Sequence, residues 1–173
     1  MPELPEVETI RTQMERELRG RRILGVTVRF GKRLNLSPTK FAEAITGARF
    51  KSFERRAKLL ISNLSNGWTI VTHLKMTGKF NLVSKRTVPG KHVHIVFHLA
   101  GKQDLFFDDV RKFGYMKLVP TKDLEAKIFD KEGYGPEPLA STFGVENFIE
   151  CFKKHPKKKV KPLLMDPTCV AGV

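Results

Sequence analysis

A chain of 173 residues has room for one fair core, or for one domain and part of a second. Its apolar share of 40%, without any long apolar run, excludes both a disordered chain and a membrane-spanning one. Against 18 Asp plus Glu it carries 32 Lys plus Arg, and the net charge of +14 favours a polyanionic partner, nucleic acid before an anionic membrane face.

Val7, Ile10, Met14 and Leu18 recur at helical spacing, which predicts a helix from residue 3 to about 19 with Gly20 as its stop. Apolar residues then alternate. Val26, Val28 and Phe30 share one strand face, Trp68, Ile70 and Thr72 another, and Val93, Ile95, Phe97 and Leu99 a third, with a short helix at about 39 to 46 between the first two. Turn signals at Ser65-Asn66-Gly67, Pro89-Gly90 and Ala100-Gly101 separate strands short enough for antiparallel hairpins. These elements predict an α+β fold, a leading helix on a two-layer antiparallel β-sandwich. After Pro120 the pattern changes: 133 to 138 is rich in Gly and Pro and reads as a linker. Val145, Phe148, Ile149 and Phe152 then mark an amphipathic helix, with a short helix near Lys161 to Met165.

Two charged groups stand out. Lys153, Lys154, Lys157, Lys158, Lys159 and Lys161 crowd the region between the last two helices, where they suit either a solvated face or a grip on phosphates. Arg16, Arg19, Arg21, Arg22, Arg29, Lys32 and Arg33 form a second group, able to line the far side of a groove. His92, His94 and His98 fall on one face of an alternating strand. No Cys or carboxylate joins them at ligand spacing, so they read as polar strand-face residues rather than metal ligands. With only Cys151 and Cys169, no leader, no lipidation signal and no amphipathic anchor, nothing indicates secretion, a disulfide framework or a membrane, and a cytoplasmic protein is expected.

The first residues, Met1-Pro2-Glu3-Leu4-Pro5-Glu6-Val7-Glu8, hold the sharpest chemical signal. Removal of Met1, favoured by the small proline behind it, leaves a secondary amine beside a carboxylic acid. An α-amine with a pKa near 8 is about a tenth unprotonated at neutral pH, against under about a thousandth of a lysine. Such an amine attacks a sugar carbon to give an iminium without metal or cofactor. The same residues also suit a plain helix start, with proline in the first turn and acids at its positive end.

Pro2-Glu3-Leu4-Pro5-Glu6-Val7-Glu8-Thr9 resembles the start of the formamidopyrimidine-DNA glycosylase family of base-excision repair enzymes. Further stretches match in the family's order: Arg55-Arg56-Ala57-Lys58, His73-Leu74-Lys75-Met76-Thr77-Gly78, Asp109-Val110-Arg111-Lys112-Phe113-Gly114, Gly135-Pro136-Glu137-Pro138-Leu139 and Lys161-Pro162-Leu163-Leu164-Met165-Asp166. The resemblance implies three parts: a catalytic β-sandwich domain over 1–132, a linker over 133–140, and a partial helix-two-turn-helix DNA-binding domain over 141–173. It implies a bifunctional glycosylase and abasic-site lyase that excises 8-oxoguanine and formamidopyrimidines and acts, as a monomer, on damaged double-stranded DNA. Pro2 is then the nucleophile and Glu3 the proton shuttle, with Glu6 supporting them or merely capping the helix, and Glu8 structural. Lys58 and His73 contact phosphates flanking the lesion. Met76 fills the space left by the extruded nucleotide, Phe113 wedges between bases, and Arg111 faces the orphaned cytosine, unless it pairs with Asp108 or Asp109. Lys161 belongs to the DNA grip.

The sequence departs from the family at Val110, where proline is common, and in lacking the four cysteines of its zinc finger, so no cofactor is expected in this chain. The chain ends where the family continues with a Gly-Asn pair, which reads as a truncation within the helix-two-turn-helix unit. Leu4 favours the oxidised-purine subgroup over endonuclease VIII. Two other readings stay open: a catalytically impaired nucleic-acid-binding fragment, and a small-molecule enzyme with an N-terminal proline, against which the charge of +14 argues.

Overall fold

Proline in its first turn and apolar residues on one stripe make Leu4–Leu18 a helix, α1, whose Leu4, Val7, Met14 and Leu18 are buried. It stops before Gly20, whose φ of +80° suits glycine. The computed structural model describes residues 2–172; Met1, whose removal the amine chemistry requires, and Val173 lie outside the described residues. The chain continues through β1 (Ile23–Val28), α2 (Pro38–Ile45), β2 (Phe50–Arg56), β3 (Leu59–Leu64), β4 (Trp68–His73), β5 (Gly78–Ser84), β6 (Val93–Leu99), β7 (Gln103–Asp109) and β8 (Tyr115–Pro120). Two short helical turns, Thr121–Asp123 and Glu125–Phe129, lead into α3 (Asp130–Glu132), followed by α4 (Val145–Lys154) and α5 (Val160–Leu164).

The strands form two antiparallel four-stranded sheets, ordered β1-β6-β7-β5 and β2-β3-β4-β8. The expected α+β sandwich is therefore what the chain forms. Its main core lies between the sheets: Leu60, Ile70 and Leu118 of one meet Ile95, Phe97, Leu105 and Phe107 of the other, and α1 and α2 close the sides with Val7, Leu18, Phe41 and Ile45. Period-two alternation sends the neighbours Leu59, Ile61, Val71 and Val119 to the opposite face. There they meet Ile128, with Leu124, Phe129 and Tyr134 packed around it. The segment from 121 to 132, unforeseen from the sequence, thus covers a sheet face that would otherwise be wet.

Three expectations shift in detail. The strand expected to include Phe30 ends at Val28, and Phe30 stacks beside His94 at 5.1 Å. Ala100-Gly101 and Ser65-Asn66-Gly67 close hairpins, but Pro89-Gly90 does not: β5 pairs with β7, so the chain crosses over before β6. A register shift between Val93 and Ile95 rotates the start of β6. Val93 consequently joins Val96 and Phe106, away from Ile95, Phe97 and Leu99.

Beyond α3 the stretch expected to be a linker is tied down. Gly135 N–H donates to Pro167 O at 2.9 Å and Ala171 N–H to Pro136 O at 3.0 Å, while Leu4 N–H donates to Gly172 O at 3.0 Å. A Cβ on Gly135 would lie 2.4 Å from Thr168 O, so only glycine permits this approach. Cys151 on α4 is bonded to Cys169, with Cα atoms 5.5 Å apart, which corrects the expectation of no disulfide. The bridge sits with Leu163, Val170, Phe143 and Phe148 in a small separate core. Val145, Ile149 and Phe152 face outward, so most of the apolar stripe expected on α4 is exposed.

Candidate active site

Ala57, Lys75 and Lys112 are the three non-glycine residues with positive φ among the described residues, at 51°, 53° and 58°. Each lies in a loop that carries candidate residues: Ala57 precedes Lys58, Lys75 precedes Met76, and Lys112 separates Arg111 from Phe113. Left-handed backbone at such residues persists where surrounding contacts enforce it, and it concentrates at functional loops.

The first loop is enforced from both sides. Ala57 N–H donates to a Glu137 carboxylate oxygen, and Arg55 joins that carboxylate, at 2.6 Å, to Glu8 of α1, at 3.0 Å. Arg56 adds a contact to Glu137 at 3.3 Å. Lys58 Nζ is thereby brought to 3.9 Å from Glu3 Oε1 at the start of α1, across 54 intervening residues. Glu3 keeps 53% of its side chain exposed, so it is free to meet a ligand. Glu6 Oε2 accepts the Glu3 backbone N–H at 3.0 Å, which gives Glu6 a capping role. Glu8, bonded to Arg11 and Arg55, is structural as expected.

Lys58 borders a cavity of about 440 Å³ shared with Ala57, His73, Lys75, Tyr115, Lys117, Tyr134 and Gly172. Burial, then the nearby cations Lys75 and Lys58, lower the His73 pKa to about 4. His73 is therefore neutral at physiological pH. Its Nδ1 accepts Lys75 N–H at 3.0 Å, which leaves the proton on Nε2 as a hydrogen-bond donor. Burial, with the Glu132 charge, raises the Tyr115 pKa to about 12, so its phenol is also a donor. Three lysines, a neutral imidazole and phenols outweigh the one carboxylate in the wall, Glu132, so the pocket suits a phosphate.

The second and third loops meet at the end of β7. Met76 and Phe113 are 46% and 43% exposed, so neither is a core residue, and Arg111 lies over the Phe113 ring at 4.9 Å. Neither Asp108 nor Asp109 forms an ion pair with Arg111 among the described residues; Asp109 accepts its backbone N–H at 3.2 Å. Exposed Val110 completes this tip.

The basic groups divide differently from expectation. Arg16 and Arg19 pair with Glu17 and Glu15, Arg22 donates to Gly47 O, Arg29 to three carbonyls between Pro89 and Val93, and Arg33 to Lys112 O. Arg22, Arg29 and Arg33 thus brace loops, whereas Arg16 and Arg19 stay largely exposed on α1. In the other group, Lys154 pairs with Glu150 and Lys158 with Asp166, while Lys153 on α4, Lys157 and Lys159 between the helices and Lys161 on α5 are exposed. His94 is buried against Asp109 O at 2.7 Å, and His98 bonds Asp104 at 3.0 Å, so the three histidines do not share one open face. No three His, Cys, Asp or Glu side chains group as a metal site among the described residues, and with both cysteines bridged the residues present do not fit the family's zinc finger.

Sequence reasoning missed Glu137, Asp109 and the cavity tyrosines Tyr115 and Tyr134. Glu137 and Asp109 stood inside quoted motifs, but Glu137 meets Ala57 80 residues away and Asp109 meets Thr77 32 residues away; nothing in the sequence marked the tyrosines.

Known proteins share this fold and much of this sequence. The family model described as Formamidopyrimidine-DNA glycosylase N-terminal domain matches residues 1–116. Formamidopyrimidine-DNA glycosylase of Lactiplantibacillus plantarum is 40% identical over 173 residues, covering 100% of this chain and 62% of the relative. That of Streptococcus mutans is 42% identical with the same coverage. The solved complex between the Lactococcus lactis enzyme and DNA containing an abasic site superposes with a TM-score of 0.92 at 32% identity, over 99% of this chain and 62% of that one. The chain thus spans about three fifths of the length of the relatives it matches, 62% in each of these. It belongs to the formamidopyrimidine-DNA glycosylase family.

Proposed function

We propose that this chain acts on damaged duplex DNA as a glycosylase and abasic-site lyase for oxidised purines, 8-oxoguanine and formamidopyrimidines opposite cytosine. The Pro2 nitrogen, freed by loss of Met1, attacks the anomeric carbon as the damaged base departs, and Glu3 shuttles the proton. The sugar ring opens to an iminium on the proline nitrogen. That iminium acidifies the neighbouring sugar C–H, so the 3′ and then the 5′ phosphate leave by successive eliminations. Lys58 offsets the charge gathering on the departing phosphates, and His73 donates to a flanking one. Met76, Arg111 and Phe113 occupy the gap left by the extruded nucleotide, whose unstacking costs a few kcal/mol. Lys161 and its neighbours supply sequence-independent phosphate contacts.

The observation that carries this reading is the approach of Lys58 Nζ to Glu3 Oε1, 3.9 Å, beside the residue that would bear the nucleophile. A small-molecule proline enzyme has no use for the exposed Met76–Arg111–Phe113 tip. The test is borohydride reduction of the Met1-processed protein on duplex DNA bearing 8-oxoguanine, run alone and fused to the C-terminal remainder of a relative. A covalent complex is expected, with yield reduced at least about tenfold in Pro2→Gly, the loss of its nucleophile. No complex from either processed form overturns the enzymatic reading; DNA binding without a complex would select a non-catalytic DNA-binding role.

A further inference from the structure

Asp109 is 1% exposed, and no cation pairs with it among the described residues. A buried carboxylate without a countercharge persists only where its oxygens are filled by directed donors. Here the donors come from the two loops that carry the exposed tip. Thr77 Oγ–H, from the Met76 loop, donates to Oδ1. Gly114 N–H, from the Arg111–Phe113 loop, donates to Oδ2 at 2.8 Å. Arg111 N–H is shared between Asp109 Oδ1, at 3.2 Å, and Thr77 Oγ1, at 3.0 Å, so the two loops also touch each other through this one hydroxyl. The hub itself is fixed from behind. Its carbonyl accepts from buried His94, and its N–H donates to His92 O at 2.9 Å. A Cβ on Gly114 would sit 3.1 Å from Asp109 Oδ2 and 2.9 Å from Phe107 Cζ, so the second loop has little room to re-seat. Both loops hold a left-handed lysine, Lys75 or Lys112, a conformation they would shed if released.

We propose that Asp109 is a positioning residue that locks the Met76 loop and the Arg111–Phe113 loop into one wedge, so that filling the vacated base position and engaging the opposite strand occur as a single event. This rests on the DNA-repair reading above. Two separately anchored loops would each insert and withdraw alone, and a half-filled gap would let the extruded nucleotide return. One shared carboxylate makes insertion all-or-none.

The test compares two substrates that use Pro2 and Lys58 alike: a duplex with 8-oxoguanine, and a single-stranded oligonucleotide with an abasic site, which has no stack to wedge. Thr77→Val, close in shape and still leaving Asp109 two backbone donors, should lower the duplex to single-strand rate ratio about tenfold, the worth of one charge-assisted hydrogen bond. Thr77→Ser should restore the ratio. Met76→Ala and Phe113→Ala should be non-additive on duplex in the parent and additive in the Thr77→Val background. Equal losses on both substrates, or no change in the ratio, overturn the proposal. If the processed parent, alone and in the fused form, turns over neither substrate, the enzymatic reading falls on its own. The wedge is then read from 2-aminopurine fluorescence beside a tetrahydrofuran site in duplex DNA: unstacking by the parent that Thr77→Val reduces supports it, and equal unstacking overturns it.

Discussion

Strands β3, β4 and β8 and helix α4 carry similar numbers of apolar residues and place them very differently. Along the strands each apolar side chain meets a core, Leu60, Ile70 and Leu118 on one face and Leu59, Val71 and Val119 on the other. On α4 only Cys151 is buried, and Val145, Ile149 and Phe152 are exposed. The sandwich is therefore held by packing, while the helical segment is held by one bridge, a small core and backbone bonds to the 133–138 stretch. The candidate site belongs to the packed part. The loops bearing Lys58, Met76 and Arg111 spring from strand ends, whereas the exposed lysines belong to the part with less support.

Core truncation should break this comparison most strongly. Phe41, fully buried between α2 and the sheets, should cost about 3–5 kcal/mol when replaced by Ala, read as loss of global stability in denaturant. Breaking the Cys151–Cys169 bridge, which closes a loop of 18 residues, should cost about 3 kcal/mol. That loss should stay local: on reduction, amide exchange should accelerate in α4 and α5 while β3 and β4 remain protected. Equal acceleration throughout would erase the distinction between the two regions.

Acid supplies a smaller effect with a definite sign. His73 binds its proton only near pH 4 when folded but near 6.5 when unfolded, so between those values the unfolded chain holds more protons. Its contribution is complete above about pH 6.5 and is lost as pH falls toward 4, by roughly 1–3 kcal/mol. His73→Gln should flatten the pH dependence of stability in that window. Smallest of all, Ile149→Ala on the exposed face of α4 should change stability by no more than about 0.5 kcal/mol, since little surface leaves water there.

Period alone was enough to read the helix at Leu4–Leu18 and most strand faces, because alternation and helical spacing are local. It failed where a distant partner decides. The rotation of Val93 depends on a shifted pairing with β7, the β5–β6 crossover on which strand β5 meets, and the cover over Leu59 and Ile61 on a segment 60 residues later. Site residues followed the same rule. Pro2, Glu3, Lys58, Met76, Arg111 and Phe113 stood out through motifs, and the structure brings Glu3 to Lys58 and ties Thr77, next to Met76, to Arg111, which lies over Phe113. Glu137 and Asp109, which hold the loops, act through backbone N–H groups that no residue pattern displays. Within the arginine group the loop-bracing Arg22, Arg29 and Arg33 could not be told from the exposed Arg16 and Arg19, because charge says nothing of whether a guanidinium faces solvent or a carbonyl.

Peptide mapping of the borohydride-reduced complex tests the central claim most directly. Trypsin should release the tryptic peptide Pro2–Arg11 carrying the reduced sugar remnant on the proline nitrogen, with no adduct elsewhere. A remnant on Lys58, or on any other lysine, with Pro2 unmodified would contradict the account.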